Sequence, residues 1–156
     1  MTPEEKIREL GYELPANVRP QGAYNPGVIC CNVLYTAGQT PRKDGILQYI
    51  GKVGTDLTLE EAQAAARICA LNCLGIIRSV AGSLDKVKQI VKVTGFVASG
   101  EGFTGQTQAV DGASQLLKAV FGDSGVAARS AVGVYALPGG APIEVEMIVE
   151  LAEYCS

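Results

Sequence analysis

Polar and hydrophobic residues alternate most cleanly near the end of the chain, in Ile143-Glu-Val-Glu-Met-Ile-Val-Glu-Leu151. Ile143, Val145, Met147 and Val149 fall on one face of an extended segment, and Glu144, Glu146, Ile148 and Glu150 on the other, because successive strand side chains point to opposite sides. A strand-like run that carries Arg129 at its start precedes it, and Leu137-Pro-Gly-Gly140 between the two has turn chemistry. The expectation is a hairpin that sets the strand of Arg129 beside the glutamates. Residues 28–37 are apolar and β-branched with little alternation, the pattern of a strand buried on both faces. Residues 87–98 read as a further strand.

Helical periodicity is clearest after Thr58-Leu-Glu-Glu61, a capping box that opens a helix running to about Ala81, with Gly82 as its stop. Ala62, Ala66, Cys69, Cys73, Ile76 and Val80 form its apolar stripe. These residues are mostly small, so the helix can lie close on a sheet, and Gly75 is read as serving the same approach. Residues 107–121 predict a second amphipathic helix, and residues 3–10 a short one with Pro3 in its first turn. Pro15, Pro20, Gly22, Pro26 and Gly27 punctuate an irregular segment, and residues 45–54 hold a short strand or an irregular excursion. The fold class is therefore α+β: a mixed β-sheet with two helices on one face. One domain spans residues 1–156, with 1–17 as an N-terminal extension. The other sheet face is either polar or covered by another subunit.

Composition narrows the chemistry. The 156 residues fit one domain, and 47% hydrophobic against 19% charged gives an undercharged surface, compatible with burial against other subunits. A net charge of -3 argues against general attraction to nucleic acid or anionic lipid. No histidine is present, which removes the commonest general base and the commonest zinc ligand. Five cysteines, an odd count, with no secretory signal argue against a disulfide framework. Cys69 and Cys73 read as small buried residues, and Cys30 and Cys31 as strand core; Cys155 is the fifth. Residues 62–82 contain Arg67, Asn72 and Arg78 and so do not read as a membrane span. A soluble cytoplasmic protein is the expectation. Arg129 near a glutamate suits a small carboxylic acid, because arginine binds carboxylate with two parallel hydrogen bonds and glutamate can hold a water or accept a proton. A plain cross-strand salt bridge explains the same pattern. Gln39 and Thr40 read equally as lining a cleft or capping a turn.

Ala128-Arg129-Ser130, Leu137-Pro138 and Ile143-Glu-Val-Glu-Met-Ile148 together resemble the signature of the YjgF/reactive intermediate deaminase (Rid, endoribonuclease L-PSP-like) family. Gly22-Ala-Tyr24, Thr36-Ala-Gly-Gln39, and the helix ending near Gly75-Ile-Ile followed by the strand over 87–98 match in order. The resemblance covers roughly residues 18–153 and is to a longer subgroup. It implies a chorismate-mutase-like homotrimer whose sheets pack around the threefold axis, with ligand clefts between subunits. It also implies hydrolysis of enamines and imines made from amino acids to 2-keto acids and ammonia, without metal or cofactor. In the residues that match, the resemblance gives Arg129 the substrate carboxylate and Glu144 the attacking water. Tyr24 would reach the cleft, the backbone at Gly38 would line it, and Ser130 follows the arginine. Ala131 stands where the family often has cysteine, and Asp111 or Ser114 where its helix often offers asparagine. Those departures favour the alternative of a trimeric 2-keto acid-type binding protein without turnover. An endoribonuclease lacks histidine and a basic footprint here, and a chorismate mutase would want more basic residues in its cleft than Arg129.

Overall fold

The computed structural model describes residues 1–16, 18 and 22–153. Pro20 and Cys155 lie outside them. Among the described residues three α-helices form, each where the sequence signals one. Helix α1 (Pro3–Glu9) is closed at its start by a Thr2/Glu5 capping box. Helix α2 (Leu59–Ala81) begins at the Thr58/Glu61 capping box and stops at Gly82, whose φ of 91° is the left-handed value glycine adopts freely. Helix α3 spans Gln106–Phe121. By length and composition α2 could cross a membrane, but its apolar side is packed in the core.

The strands are β1 (Gly27–Cys30), β2 (Val33–Thr36), β3 (Arg42–Lys43), β4 (Ile46–Leu47), β5 (Val87–Ala98), β6 (Ala128–Val134) and β7 (Ile143–Leu151). Five of them make one mixed sheet in the order β1-β2-β7-β5-β6, while β3 and β4 pair separately as a two-residue ribbon. Thus the excursion after residue 40 is a small hairpin of its own.

The predicted C-terminal hairpin does not form. β5 lies between β6 and β7, parallel to β6 and antiparallel to β7. The cause is the helix between β5 and β6: a strand–helix–strand crossover returns the chain parallel to the first strand. β7 then takes the other edge of β5. Glu144 is consequently opposite Phe96, and Arg129 opposite Val93. A second correction concerns residues 28–37. They fold as the β1–β2 hairpin at the sheet edge, turning at Cys31 with φ 55°. Only one face is covered there, so Cys30 and Cys31 are exposed rather than core.

α2 and α3 both cover the face that carries Leu34, Ile90, Val93, Val97, Val145, Met147 and Val149. Small residues let the layers approach. A Cβ on Gly112 would collide with the Gln63 carbonyl of α2, and one on Gly95 with Val110 of α3. Gly75 serves a different neighbour from the one expected: its missing Cβ makes room for Pro15 and Val18 of the N-terminal arm. Arg78 Nη2 donates to Pro15 O at 2.9 Å and fastens that arm to α2. Among the described residues the opposite sheet face carries no helix. The register puts Val28, Tyr35, Ile148, Phe96 and Val132 on it, together with Glu144, Glu146, Lys92 and Ser130.

Candidate functional site

The residues singled out in the sequence form two groups that do not meet within one chain. The first is built on the loop that leaves β2. Gln39 and Val145 exchange two backbone hydrogen bonds, 2.8 and 3.0 Å, which press this loop against β7. Gly38 then lies against the Glu144 carboxylate so closely that a Cβ at position 38 would sit 2.6 Å from Oε1. Only glycine leaves this carboxylate undisturbed. Glu144 is half-buried and, among the described residues, has no hydrogen bond or ion pair. Burial pushes its pKa above the ordinary 4.5, and the charge of Glu146 adds to the rise. An unpaired carboxylate with a raised pKa is a stronger base than an ordinary one and is equipped to hold a water and accept its proton.

Beside this point opens a cavity of about 370 Å³, lined by Tyr24, Gly38, Gln39, Thr40, Arg42 and Asn72, with Pro15 and Val18 of the N-terminal arm closing one side. Gln39 and Thr40 therefore line a cleft. Asn72 Nδ2 donates to Thr40 O at 3.1 Å and Arg42 O at 2.9 Å, which fixes the loop to α2. Arg42 Nη1 donates to Gly45 O at 2.9 Å. Arg42 and Asn72 were missed by sequence reasoning. The one available signal was Asn72 itself, a polar residue set among apolar ones in α2.

The second group is built on the helix-facing side of the edge strand β6. Arg129 Nη1 donates to Asp111 Oδ1 at 2.8 Å and to Ser114 Oγ at 3.1 Å, and Nη2 donates to Thr107 O at 3.2 Å. Thr107, Asp111 and Ser114 are spaced i, i+4, i+7 on α3, one face of a helix. Asp111 and Ser114, which the resemblance set where the family's helix offers an asparagine, both bond Arg129. A cavity of about 280 Å³ borders Arg129 and Ser114. Ser130 points to the other face of β6, where Lys92 Nζ donates to its hydroxyl at 2.9 Å. Ala131 pairs with Gly95 and is partly buried against the core.

Glu144 lies on the open sheet face and Arg129 on the helix-covered side, with β5 between their strands. Arg129 borders the second cavity and not the first, and Glu144 lies next to the first, behind Gly38, without lining it. Among the described residues no group of three His, Cys, Asp or Glu could hold a metal ion. The buried thiols are not candidate nucleophiles. Desolvation pushes Cys73 up to about 12 and raises Cys69 as well, with nearby negative charge adding to both.

A mixed sheet with its helices on one face, a Gly38–Glu144 pair and an arginine at the start of the edge strand define a chorismate-mutase-like α+β protein. Over residues 4–151 the chain matches the family described as "YjgF/chorismate mutase-like, putative endoribonuclease", and it belongs to that family. It is 42% identical over 146 residues to Protein TCP17 of Trypanosoma cruzi, covering 93% of this chain and 91% of that one. A "putative endoribonuclease" from Shewanella oneidensis superposes with a TM-score of 0.93 at 33% identity, over 97% of this chain and all of its own. The protein Atu1372 of Agrobacterium tumefaciens, of unknown function, gives 0.90 at 38% identity, over 96% of this chain and 92% of its own.

Proposed function

We propose that this protein hydrolyses reactive enamines and imines derived from amino acids to 2-keto acids and ammonia, at clefts between the subunits of a homotrimer. The observation that carries the proposal is the separation of two incomplete half-sites. Glu144, set against Gly38, offers a water-holding carboxylate that has no ion pair among the described residues, and Arg42 of the Tyr24 cavity beside it is held to the Gly45 carbonyl. Arg129 stands elsewhere, still with donors to spare. A second copy laid against the open sheet face would supply the missing half.

In this reading Arg129 of one subunit grips the carboxylate of the imino acid. Glu144 of its neighbour takes a proton from a water as the oxygen bonds to the imine carbon. The C=N π electrons pass to the protonated nitrogen, which becomes a neutral amine. Glu144 then gives the water's proton to that amine, the C–N bond breaks as ammonia leaves, and the hydroxyl loses its proton to Glu144 as the carbonyl of the keto acid forms. Imines hydrolyse readily in water, so orientation and proton transfer supply the modest help needed. Ser130 and Tyr24 would shape the cleft, and no cofactor is required.

The test uses an amino acid oxidase to generate imino acids, and semicarbazide to trap them. Wild type should lower adduct formation, and Arg129→Ala and Glu144→Gln should each abolish the effect. Mixed trimers of these two variants should regain part of the activity, because some clefts would receive both intact halves. Full activity in Arg129→Ala, or a monomer by sedimentation equilibrium, would overturn the proposal. A second reading, a binding protein for 2-keto acid-type ligands without turnover, is favoured by one observation: Asp111 already takes Nη1 of Arg129. Calorimetric binding with no loss of adduct would select it.

A further inference from the structure

We propose that Asp111 sets the charge preference of the Arg129 site, so that it favours carboxylates that also carry a positively charged nitrogen over plain 2-keto acid anions. The favoured class is the protonated imino acid, or an amino acid zwitterion in its place. This deepens the reading above and rests on Arg129 as the carboxylate grip.

Arginine has five N–H donors. Three are spent inside the chain, on Asp111 Oδ1, Ser114 Oγ and Thr107 O. The two that remain, one on Nη2 and one on Nε, have no partner among the described residues. They are enough for one two-pronged carboxylate pair. The helix cradle therefore leaves Arg129 able to bind, but it also changes the charge that a ligand meets. Arg129 and Asp111 sum to zero, 2.8 Å apart, with side chains only 18% and 38% exposed. A ligand carboxylate on the two free donors would lie about 6 Å from Asp111. At an effective dielectric between 20 and 80, two like charges at that distance weaken binding by roughly 3- to 100-fold. The partial exposure of Asp111 points to the lower half of that range. A positive nitrogen on the ligand cancels the repulsion. The cavity of about 280 Å³ beside this site is lined by Arg129 and Lys118, while Asp111 meets the ligand position only from behind Arg129. Lys118 is exposed, so solvent weakens its field, and what remains acts on the carboxylate of either ligand alike.

Such a site would hold substrate better than product. The substrate is a carboxylate with a protonated C=N nitrogen, and the product has lost that nitrogen as ammonia. Hydrolysis would remove the charge that Asp111 tolerates, and release of the keto acid would follow.

The experiment is calorimetry on the full chain with a matched pair, 2-aminobutanoate and 2-oxobutanoate, under one buffer and salt. Wild type should bind the zwitterion more tightly than the keto acid. Asp111→Asn, which keeps the shape and one hydrogen bond, should tighten 2-oxobutanoate by about tenfold and leave 2-aminobutanoate within about threefold. Ser114→Ala removes a contact to the same nitrogen without changing charge, and it should leave the ratio of the two affinities unaltered. An unchanged ratio in folded Asp111→Asn overturns the charge preference alone. A ratio that shifts equally in Ser114→Ala overturns it too, because positioning would then explain the effect. Undiminished binding of both ligands by Arg129→Ala overturns the grip itself, and the underlying reading with it.

Discussion

Replacing Gly38 by alanine would set a methyl group 2.6 Å from Glu144 Oε1 and 3.0 Å from its Cδ. Ordinary van der Waals contact begins near 3.4 Å, so the carboxylate must retreat by about 0.8 Å, the difference between 3.4 and 2.6 Å. Its strand cannot follow, because β7 is held by β5 along one edge and by β2 and Gln39 along the other. Gly38 has no positive φ, so alanine meets no backbone strain there. The moving atoms are the end of a flexible side chain, and the stability cost should stay within about 1 kcal/mol. Catalysis should suffer more, because a misplacement near 1 Å costs on the order of 100-fold in rate. The assay pairs a thermal melt with kcat/KM from the loss of the trapped imine adduct. Gly38→Ala should melt within a few degrees of wild type and lose about two orders of magnitude in kcat/KM. In a Glu144→Gln background the same alanine should add little, because the group through which it acts is gone. A folded Gly38→Ala protein with kcat/KM within about threefold of wild type would refute the reasoning, and Glu144 would lose its assigned role.

Other consequences concern the scaffold. Gly112→Ala forces a Cβ into the Gln63 carbonyl, a backbone atom that cannot rotate away; urea unfolding should show a loss of at least about 3 kcal/mol, and a loss below about 1 kcal/mol would mean that α2 and α3 separate easily. Glu144 titrates above its ordinary 4.5 because it is buried and faces Glu146. Its protonated form is the better tolerated, so its contribution to stability is fully present below pH 4.5 and is lost as pH rises through the raised value. Melts from pH 4 to 8 should therefore show Glu144→Gln gaining on wild type as pH increases, and a constant difference would contradict the burial argument. Brief iodoacetamide treatment of the native protein should label Cys30 and Cys31 and spare Cys69 and Cys73, which react only in denaturant. Peptide mass spectrometry resolves the four sites, and native labelling of Cys73 would show that α2 opens.

Capping and alternation carried most of the fold. Thr58 and Glu61 mark the start of α2 by a local hydrogen-bond exchange, and Gly82 marks its end by a local dihedral, so neighbouring residues alone announce them. The alternation of β7 likewise survives, because burial of one face of the sheet enforces it. Strand order is not local. Arg129 and Glu144 are near in sequence, and the Leu-Pro-Gly-Gly segment between them has the composition of a hairpin turn. The partner of each strand was decided instead by β5, whose two long edges compete for both. Cys30 and Cys31 failed for a related reason. Their apolar run looked like a central strand, but a two-residue turn at the sheet edge leaves it uncovered. Arg42 was illegible because it lies in a short, partly exposed ribbon, where composition speaks only of turns.

Each half-site is fixed by a different part of the fold. The Gly38–Glu144 pair depends on the Gln39–Val145 bridge and on the β2–β7 register. The Arg129 cradle depends on one face of α3 and on β6. The two parts connect through β5 and through the packing of α2 on α3, scaffolding to which neither Arg129 nor Glu144 is essential, so a side-chain substitution that empties one half should leave the other intact. That independence is what makes subunit mixing informative. An Arg129→Ala chain still carries a sound Glu144, and a Glu144→Gln chain a sound Arg129. If the cleft forms between subunits, some contacts in a mixed trimer join the two sound halves. If each chain worked alone, every chain in the mixture would be defective. Restored activity therefore reports where the cleft lies, independently of how much activity a single cleft yields.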